Sequence, residues 1–364
     1  MTLRMFLQGL IPMYPFIMGK LNANSSDVGI YLSLSYVFLF LGTYLTGIIV
    51  PKYVKPKNLL LSTVLPMSFA LMALGFTNDL WLFDTFGCAL NFFIGMHVCS
   101  NNILMGYYST EKSVSKNFST LSFSSLLATV FGGFLVGPLL AWLGYKYSFA
   151  VFGGGVLLFS LLLIPIPKPE ISQLDSERKK FRVDKNLWLL LVSTFLVSLL
   201  LYGFKMGISI MLKRRNWRVS DISIMMALGS SFALPITIWW GKISKYSNSK
   251  MLLIISVLCG FAGYFTLFEV GIYFLGLIGF ACISVVAYTI SIPLMNLLFG
   301  WYNRWSLPKA QALISSAVYI SAIVGFLVNG YAMQHYSERT CIITGLMISV
   351  AALIPLLLIK FERK

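Results

Sequence analysis

Two stretches of this chain, Ser26 to Lys57 and Ser220 to Lys250, follow one plan. Each opens on Ser-Asp (Ser26-Asp27 and Ser220-Asp221), runs through an apolar segment, reaches a glycine (Gly47 and Gly241) and ends in three lysines. Those lysines are Lys52, Lys55 and Lys57 in the first copy, and Lys242, Lys245 and Lys250 in the second. Asp27 and Asp221 both stand 20 residues before their glycine. The apolar segments match the ~20 residues that a helix needs to cross a bilayer. Only helices and closed barrels pair all their backbone groups in hydrocarbon, so a duplicated segment of this kind constrains the fold strongly.

Other regions extend the duplication. Gly133-Phe134-Leu135-Val136-Gly137 is echoed by Gly325-Phe326-Leu327-Val328-Asn329-Gly330, at an offset of 192 residues against 194 for the first pair. Two halves in the same register imply parallel repeats about an axis along the membrane normal. Such repeats commonly hold a substrate site where they meet.

The chain is 58% hydrophobic and 11% charged over 364 residues. Soluble domains run at about 25% charged, so no single water-soluble core fits; the fold class is an all-α polytopic membrane protein. Twelve spans are expected, near 3–19, 27–50, 58–77, 81–107, 117–143, 146–166, 187–212, 221–241, 250–268, 271–298, 308–333 and 340–360. The first run, Met5 to Gly19, lacks a small-residue cleavage pattern and reads as a span. The one long polar segment, Pro167 to Asn186, holds Ser176-Glu177-Arg178-Lys179-Lys180 and reads as a solvated linker. The expected organisation is therefore a six-helix bundle over 1–167, a cytoplasmic linker over 168–186 and a second bundle over 187–364.

The net charge of +16 finds no soluble basic domain that would bind nucleic acid. It follows the bias that places Lys and Arg in cytoplasmic loops. With both termini cytoplasmic, 20 of the 28 Lys and Arg lie inside and 7 outside, with Lys205 within a span. The cluster Lys213, Arg214, Arg215 and Arg218 runs against the bias. All five cysteines fall in apolar runs without a Cys-x-x-Cys or Cys/His grouping, so no metal, cofactor or disulfide framework is expected.

The 6+6 arrangement, the central cytoplasmic loop and the basic hairpins after spans two and eight resemble the major facilitator superfamily along essentially the whole chain. In that family's loop signature Gly47, Lys52 and Lys55 match. Pro51 stands where the family has an aspartate, and Val54 where it has a second glycine. In the second half Gly241 and Lys250 match, and Lys245 takes the aspartate position. Gly133-x-x-x-Gly137-Pro138 is similar to the glycine-proline signature of family antiporters, with Ala141-Trp142 in place of the closing glycines. Trp142 to Phe149 resembles the family's turn between spans five and six. Asn91, before Gly95, occupies the place of a span-four arginine.

The resemblance implies a cavity lined mainly by spans one, four, seven and ten. Intramembrane polar groups on those spans are the site candidates, since a polar group facing lipid is costly. Lys205 is the only charge well inside an apolar run, on a stripe with Ser198, Tyr202 and Ser209. It either faces the cavity or snorkels toward the surface, eight residues from Lys213, ~12 Å at helical rise. His97 in span four, with Asn91, Asn101 and Asn102, is either a proton carrier or a hydrogen-bonded packing residue. Helical spacing gives Asn91 and Asn102 one face, His97 and Asn101 another. Gln8, Tyr14, Ser284, Tyr288, Ser291 and Asn296 complete the lining. Pro12, Pro15 and Pro293 would break their helices and release backbone groups. The conformational residues expected are Gly47, Lys52, Gly133, Gly137, Pro138 and Gly241.

These readings make the chain a monomeric, non-enzymatic transporter in the cell membrane. It would carry a small organic solute by alternating access, driven by a proton or another coupling ion or by diffusion alone. Efflux of a drug-like compound or metabolite fits the antiporter resemblance. The competing expectation is a non-transporting receptor or scaffold built on a transporter fold.

Overall fold

The structure, a computed structural model, describes residues 10–50, 55–109, 113–165, 183–269, 272–302 and 307–359. Gln8, Pro51 and Lys52, and the charged run 176–180, lie outside them. The regular structure of the described residues is all helical. After one turn over Ile11–Met13 come α1 (Tyr14–Gly19), α2 (Ser25–Ile49), α3 (Pro56–Leu74), α4 (Leu80–Tyr107) and α5 (Val114–Ser160). The chain continues with α6 (Lys185–Arg214), α7 (Val219–Ile243), α8 (Ser249–Phe265), α9 (Tyr273–Leu298), α10 (Leu307–His335) and α11 (Glu338–Leu358). Ten helical stretches among the described residues are long and apolar enough to cross a bilayer.

Local chemistry sets the ends of these helices. Asn24 and Asp27 close a reciprocal capping box, with the Asp27 amide donating to Asn24 at 2.9 Å and the Asn24 amide to Asp27 at 2.8 Å. Asp221 sits in the first turn of α7, where the positive end of the helix dipole favours a carboxylate. Three helices turn out of line at Thr63, Phe232 and Ile290, each three residues before a proline (Pro66, Pro235, Pro293). A proline offers no amide to the carbonyl four residues back and clashes with it, which explains why regular helix stops at Ser62, Ser231 and Thr289.

At 47 residues, α5 is about twice the length of one span. Gly144 divides it: its φ of +70° and ψ of 175° are a left-handed extended conformation that only glycine adopts without strain. The two arms, 114–143 and 145–160, correspond to two separate expected spans.

Large side chains such as Trp81, Trp142, Phe69 and Met347 are exposed around the bundle. A water-soluble protein rarely displays contiguous apolar surface on this scale; in a bilayer it faces lipid.

Helix packing is dense between α2 and α10, α2 and α4, α5 and α7, α7 and α9, α6 and α10, and α6 and α11. Two crossings sit at the end of the bundle where α2 and α7 begin. A Cβ on Gly29 would lie 2.9 Å from Gly330 Cα and 2.8 Å from the Phe326 carbonyl, so the α2 and α10 backbones touch there. A Cβ on Gly133 would lie 2.7 Å from Ala227 Cβ, and one on Gly137 2.4 Å from Ser223 Cβ, bringing α5 equally close to α7. Ser223 donates its hydroxyl to the Gly133 carbonyl and accepts from the Gly137 amide at 3.2 Å. The same end carries Lys213, whose ammonium donates to the Pro15 carbonyl of α1 at 2.6 Å. Arg214 and Arg215 pair there with Glu338 at 3.7 and 3.4 Å.

Candidate functional site

Lys205 reaches into the interior of the helix bundle. It lines a small cavity of about 20 Å³ with Thr129 of α5, Met226 and Ser230 of α7, and Phe280, Ser284 and Tyr288 of α9. That volume holds one water and no organic solute, so the chamber is closed in this arrangement. Its polar groups are tied to one another. Thr129 and Tyr288 share a hydrogen bond, and Ser230 meets Ser284 at 2.8 Å. The break at Ile290 falls just past Tyr288, so the cavity wall ends where the helix gives way.

An aromatic wall adjoins it. The Lys205 ammonium lies 5.9 Å from the Tyr202 ring centroid, within cation–π range. Tyr202 packs edge-on against Tyr36 of α2 at 5.0 Å and Phe326 of α10 at 5.3 Å. Tyr319 stands 6.5 Å from Tyr36. One amine, several hydroxyls and six rings therefore meet among α2, α5, α6, α7, α9 and α10. Chemically such a chamber suits a flat or amphipathic molecule bearing an anionic or hydrogen-bonding group.

Six carboxylates whose side chains are described lie elsewhere, near helix starts. Asp27, Asp221 and Glu338 are in first turns, Asp184 caps α6, Asp79 precedes α4 and Asp84 is in its second turn. At the far end of α9, the Tyr302 hydroxyl donates to Asp184 at 3.4 Å. Burial, with the adjacent Asp184 carboxylate, raises that phenol above its ordinary range.

Three of the expected substrate-binding residues meet here: Tyr202, Lys205 and Tyr288. Tyr14 is buried elsewhere, between Tyr31 at 5.0 Å and Phe83 at 6.2 Å. His97 faces α3, its Nδ1 3.1 Å from the Thr63 hydroxyl. The Asn91 amide donates back to the Gly87 carbonyl of its own helix at 2.9 Å. Asn101 is half-buried on α4, beyond His97. None of these four lines the Lys205 cavity. Of the conformational candidates, Gly133 and Gly137 form the α5–α7 crossing, and Pro138 lies inside the same helix. Gly241 is near the end of α7. Gly47 faces open space, with nothing within 4 Å of an added Cβ, so close packing does not account for it.

Thr129, Ser230, Tyr36 and Tyr319 lie outside spans one, four, seven and ten, from which the sequence candidates came. A signal existed for Thr129: Ser119, Ser122, Ser125 and Thr129 recur at intervals of three and four, and all are buried. Ser119 donates to the Thr237 carbonyl of α7 at 3.0 Å and Ser122 meets Ser291 of α9 at 2.9 Å, so the stripe faces α7 and α9.

A family model described as Major Facilitator Superfamily matches residues 1–300. The chain belongs to the major facilitator superfamily. Membrane transport is accordingly its functional class. Solved structures that share this fold include two transporters. The human organic anion transporter MFSD10 (TETRAN) superposes with a TM-score of 0.74 at 14% identity, over 99% of this chain and 96% of that one. A point-mutant form of the nucleoside transporter NupG gives a TM-score of 0.73 at 13% identity, over 99% and 98%. At those identities the likeness to each is one of fold. A search of curated proteins finds no match.

Proposed function

We propose that this superfamily member moves a small organic solute by alternating access, and that the solute pairs a negative charge with aromatic or apolar surface. The observation that carries this reading is Lys205, set in a central cavity beside Tyr202, Tyr36 and Phe326. An ammonium inside a low-dielectric chamber attracts an anion far more strongly than one in water does, so a carboxylate-bearing solute gains most from it. The fold neighbour that transports organic anions is consistent with this class.

In this reading the chain has twelve spans in two bundles, 1–167 and 187–364, joined by a cytoplasmic linker over 168–186. It works as a monomer in the cell membrane with both termini cytoplasmic. The matching contacts of α2 with α10 and of α5 with α7 support the two-fold relation, because those pairs exchange under the sequence duplication. The Gly29–Gly330 and Gly137–Ser223 crossings then close the outer side, and the two bundles rock about the Lys205 level.

The test is flux into liposomes containing the purified protein, across a panel of aromatic and aliphatic carboxylates with neutral analogues. Lys205→Ala should abolish carboxylate flux, and Lys205→Arg should retain part of it. Equal carboxylate flux in all three proteins would remove Lys205 from the site. No flux across the panel, with a protein partner co-purifying, would favour a receptor or scaffold.

A further inference from the structure

Four cations, Lys213, Arg214, Arg215 and Arg218, run against the charge bias that orders the other loops. Two of them tie helices together. Lys213 donates to the Pro15 carbonyl and Arg214 to the Met333 carbonyl, which joins α6 to α1 and α10. The other two, Arg215 and Arg218, line an open cavity of about 580 Å³ with Trp217, Asp221, Ile224 and Tyr273.

Local structure builds this cavity. Asn216 turns the chain between α6 and α7 with a φ of +59°, a left-handed conformation that Asn tolerates better than most residues. Trp217 stacks on Tyr273, their ring centroids 5.7 Å apart and their planes 8° from parallel, which fastens the turn to the start of α9. Asp221 accepts from the Ser220 hydroxyl at 3.3 Å and lies in the first turn of α7, where the helix dipole offsets its charge. Arg215 stands 3.4 Å from Glu338, a partly exposed pair of the kind worth little in water. Arg218 is exposed and forms no ion pair among the described residues. Two guanidiniums against one carboxylate leave the lining positive.

The cavity turns away from Lys205. At 100° per residue, Asp221, Ile224, Leu228 and Phe232 share one face of α7, and Met226 and Ser230 lie roughly opposite. Met226 and Ser230 line the Lys205 chamber, so the first face points outward from the bundle. Phe232 on that face is 58% exposed, and Ile272 and Phe274, which flank Tyr273, are 53% and 66% exposed. The positive cavity therefore sits directly at the head of an apolar, lipid-facing surface.

We propose that this cavity is a headgroup site for an anionic phospholipid of the bilayer leaflet at this end of the bundle. The forks of Arg215 and Arg218 match phosphate oxygens, and Trp217 and Tyr273 supply the amphipathic rings that favour the headgroup level. An acyl chain then runs along Ile224, Leu228 and Phe232. A free phosphate would use the arginines and leave the apolar face below them idle. The assignment depends on the chain's place in a membrane and is independent of Lys205 and of any solute.

Native mass spectrometry of the purified protein in detergent, titrated with phosphatidylglycerol or phosphatidylcholine, tests the site. The wild type should bind phosphatidylglycerol more tightly than phosphatidylcholine. Arg215→Gln and Arg218→Gln should each weaken phosphatidylglycerol binding about fivefold, the change that one cation near an anionic bilayer surface supplies. Arg218→Lys keeps the charge and should keep most of the affinity, and Lys146→Gln, at an exposed lysine on α5, should leave it unchanged. If Arg215→Gln fails to fold for want of its Glu338 contact, the exposed Arg218→Gln decides alone. Equal affinity for the two lipids in the wild type, or unchanged phosphatidylglycerol affinity in Arg218→Gln, overturns the proposal. Displacement of the lipid by equimolar glycerol phosphate would mark a site for free phosphate, and displacement by an aromatic carboxylate would mark a solute site; either result overturns the lipid assignment.

Discussion

Lys57 and Ile164, 107 residues apart, are joined by a 2.8 Å hydrogen bond from the ammonium to the backbone carbonyl. Lys250 and Leu357 make the same bond at 2.7 Å, again across 107 residues. In each case the last lysine of a basic hairpin reaches carbonyls at the C-terminal end of a later helix, where the dipole is negative and the final carbonyls lack partners. Lys250 also reaches the Ile359 carbonyl at 3.0 Å. The hairpin lysines that first mark the duplication in the sequence thus have a structural duty as well as a topological one.

Replacing Lys57 or Lys250 by alanine removes one helix cap. Each change should cost about 0.3–1 kcal/mol, the usual worth of a cation at a helix C terminus. The two sites share no partner, so their effects should add. Thermal unfolding of the single and double variants in detergent measures this. A double variant as stable as the wild type would show that water replaces the caps without loss.

The Gly29–Gly330 crossing has no room for a side chain on either helix. Gly330→Leu should force α2 and α10 apart and cost ~1–3 kcal/mol by overpacking. Gly47→Leu, placed in open space, should change stability by less than ~0.5 kcal/mol. Flux and melting temperature read both. Equal tolerance at the two positions would contradict the crossing.

Lys213 ties α6 to α1, and Gly19 leaves space for it, since an added Cβ would lie 2.3 Å from the ammonium. In Lys213→Met the amides of α1 should exchange roughly three- to tenfold faster, as expected for losing a bond worth about 1 kcal/mol. Hydrogen–deuterium exchange over residues 14–19 would register it. Gly19→Val should produce a similar change with Lys213 intact.

Thr129 and Tyr288 bridge α5 and α9 beside Lys205. Thr129→Val and Tyr288→Phe each leave the other hydroxyl without that partner. A double-mutant cycle should give a coupling of ~0.5–1.5 kcal/mol in solute affinity or stability. Simple additivity would mean that the two hydroxyls act independently.

Much of the architecture could be read from the residues in order. The apolar run lengths located the helices, the Ser-Asp pairs their starts, and Pro66, Pro235 and Pro293 are near where three of them bend. Gly144 separates the arms of α5 where the Trp142–Phe149 stretch suggested a turn. These properties depend on bilayer thickness, backbone pairing and φ, all of which act along the chain. The direction in which a side chain points was much less legible. His97 turned to Thr63, Tyr14 to Tyr31, and Asn91 to its own backbone.

The sequence by itself determined that this chain crosses a membrane many times and that its Ser-Asp, glycine and lysine pattern occurs twice. Only the tertiary structure decided which helices touch, and that Lys205 shares a cavity with Thr129 and Tyr288. The reason is physical. Lipid is as apolar as a protein core, so the buried and lipid-facing sides of a helix carry similar residues. The apolar stripe that marks the inward face of a soluble helix does not stand out here, and the facing of each side chain emerges only when the helices pack.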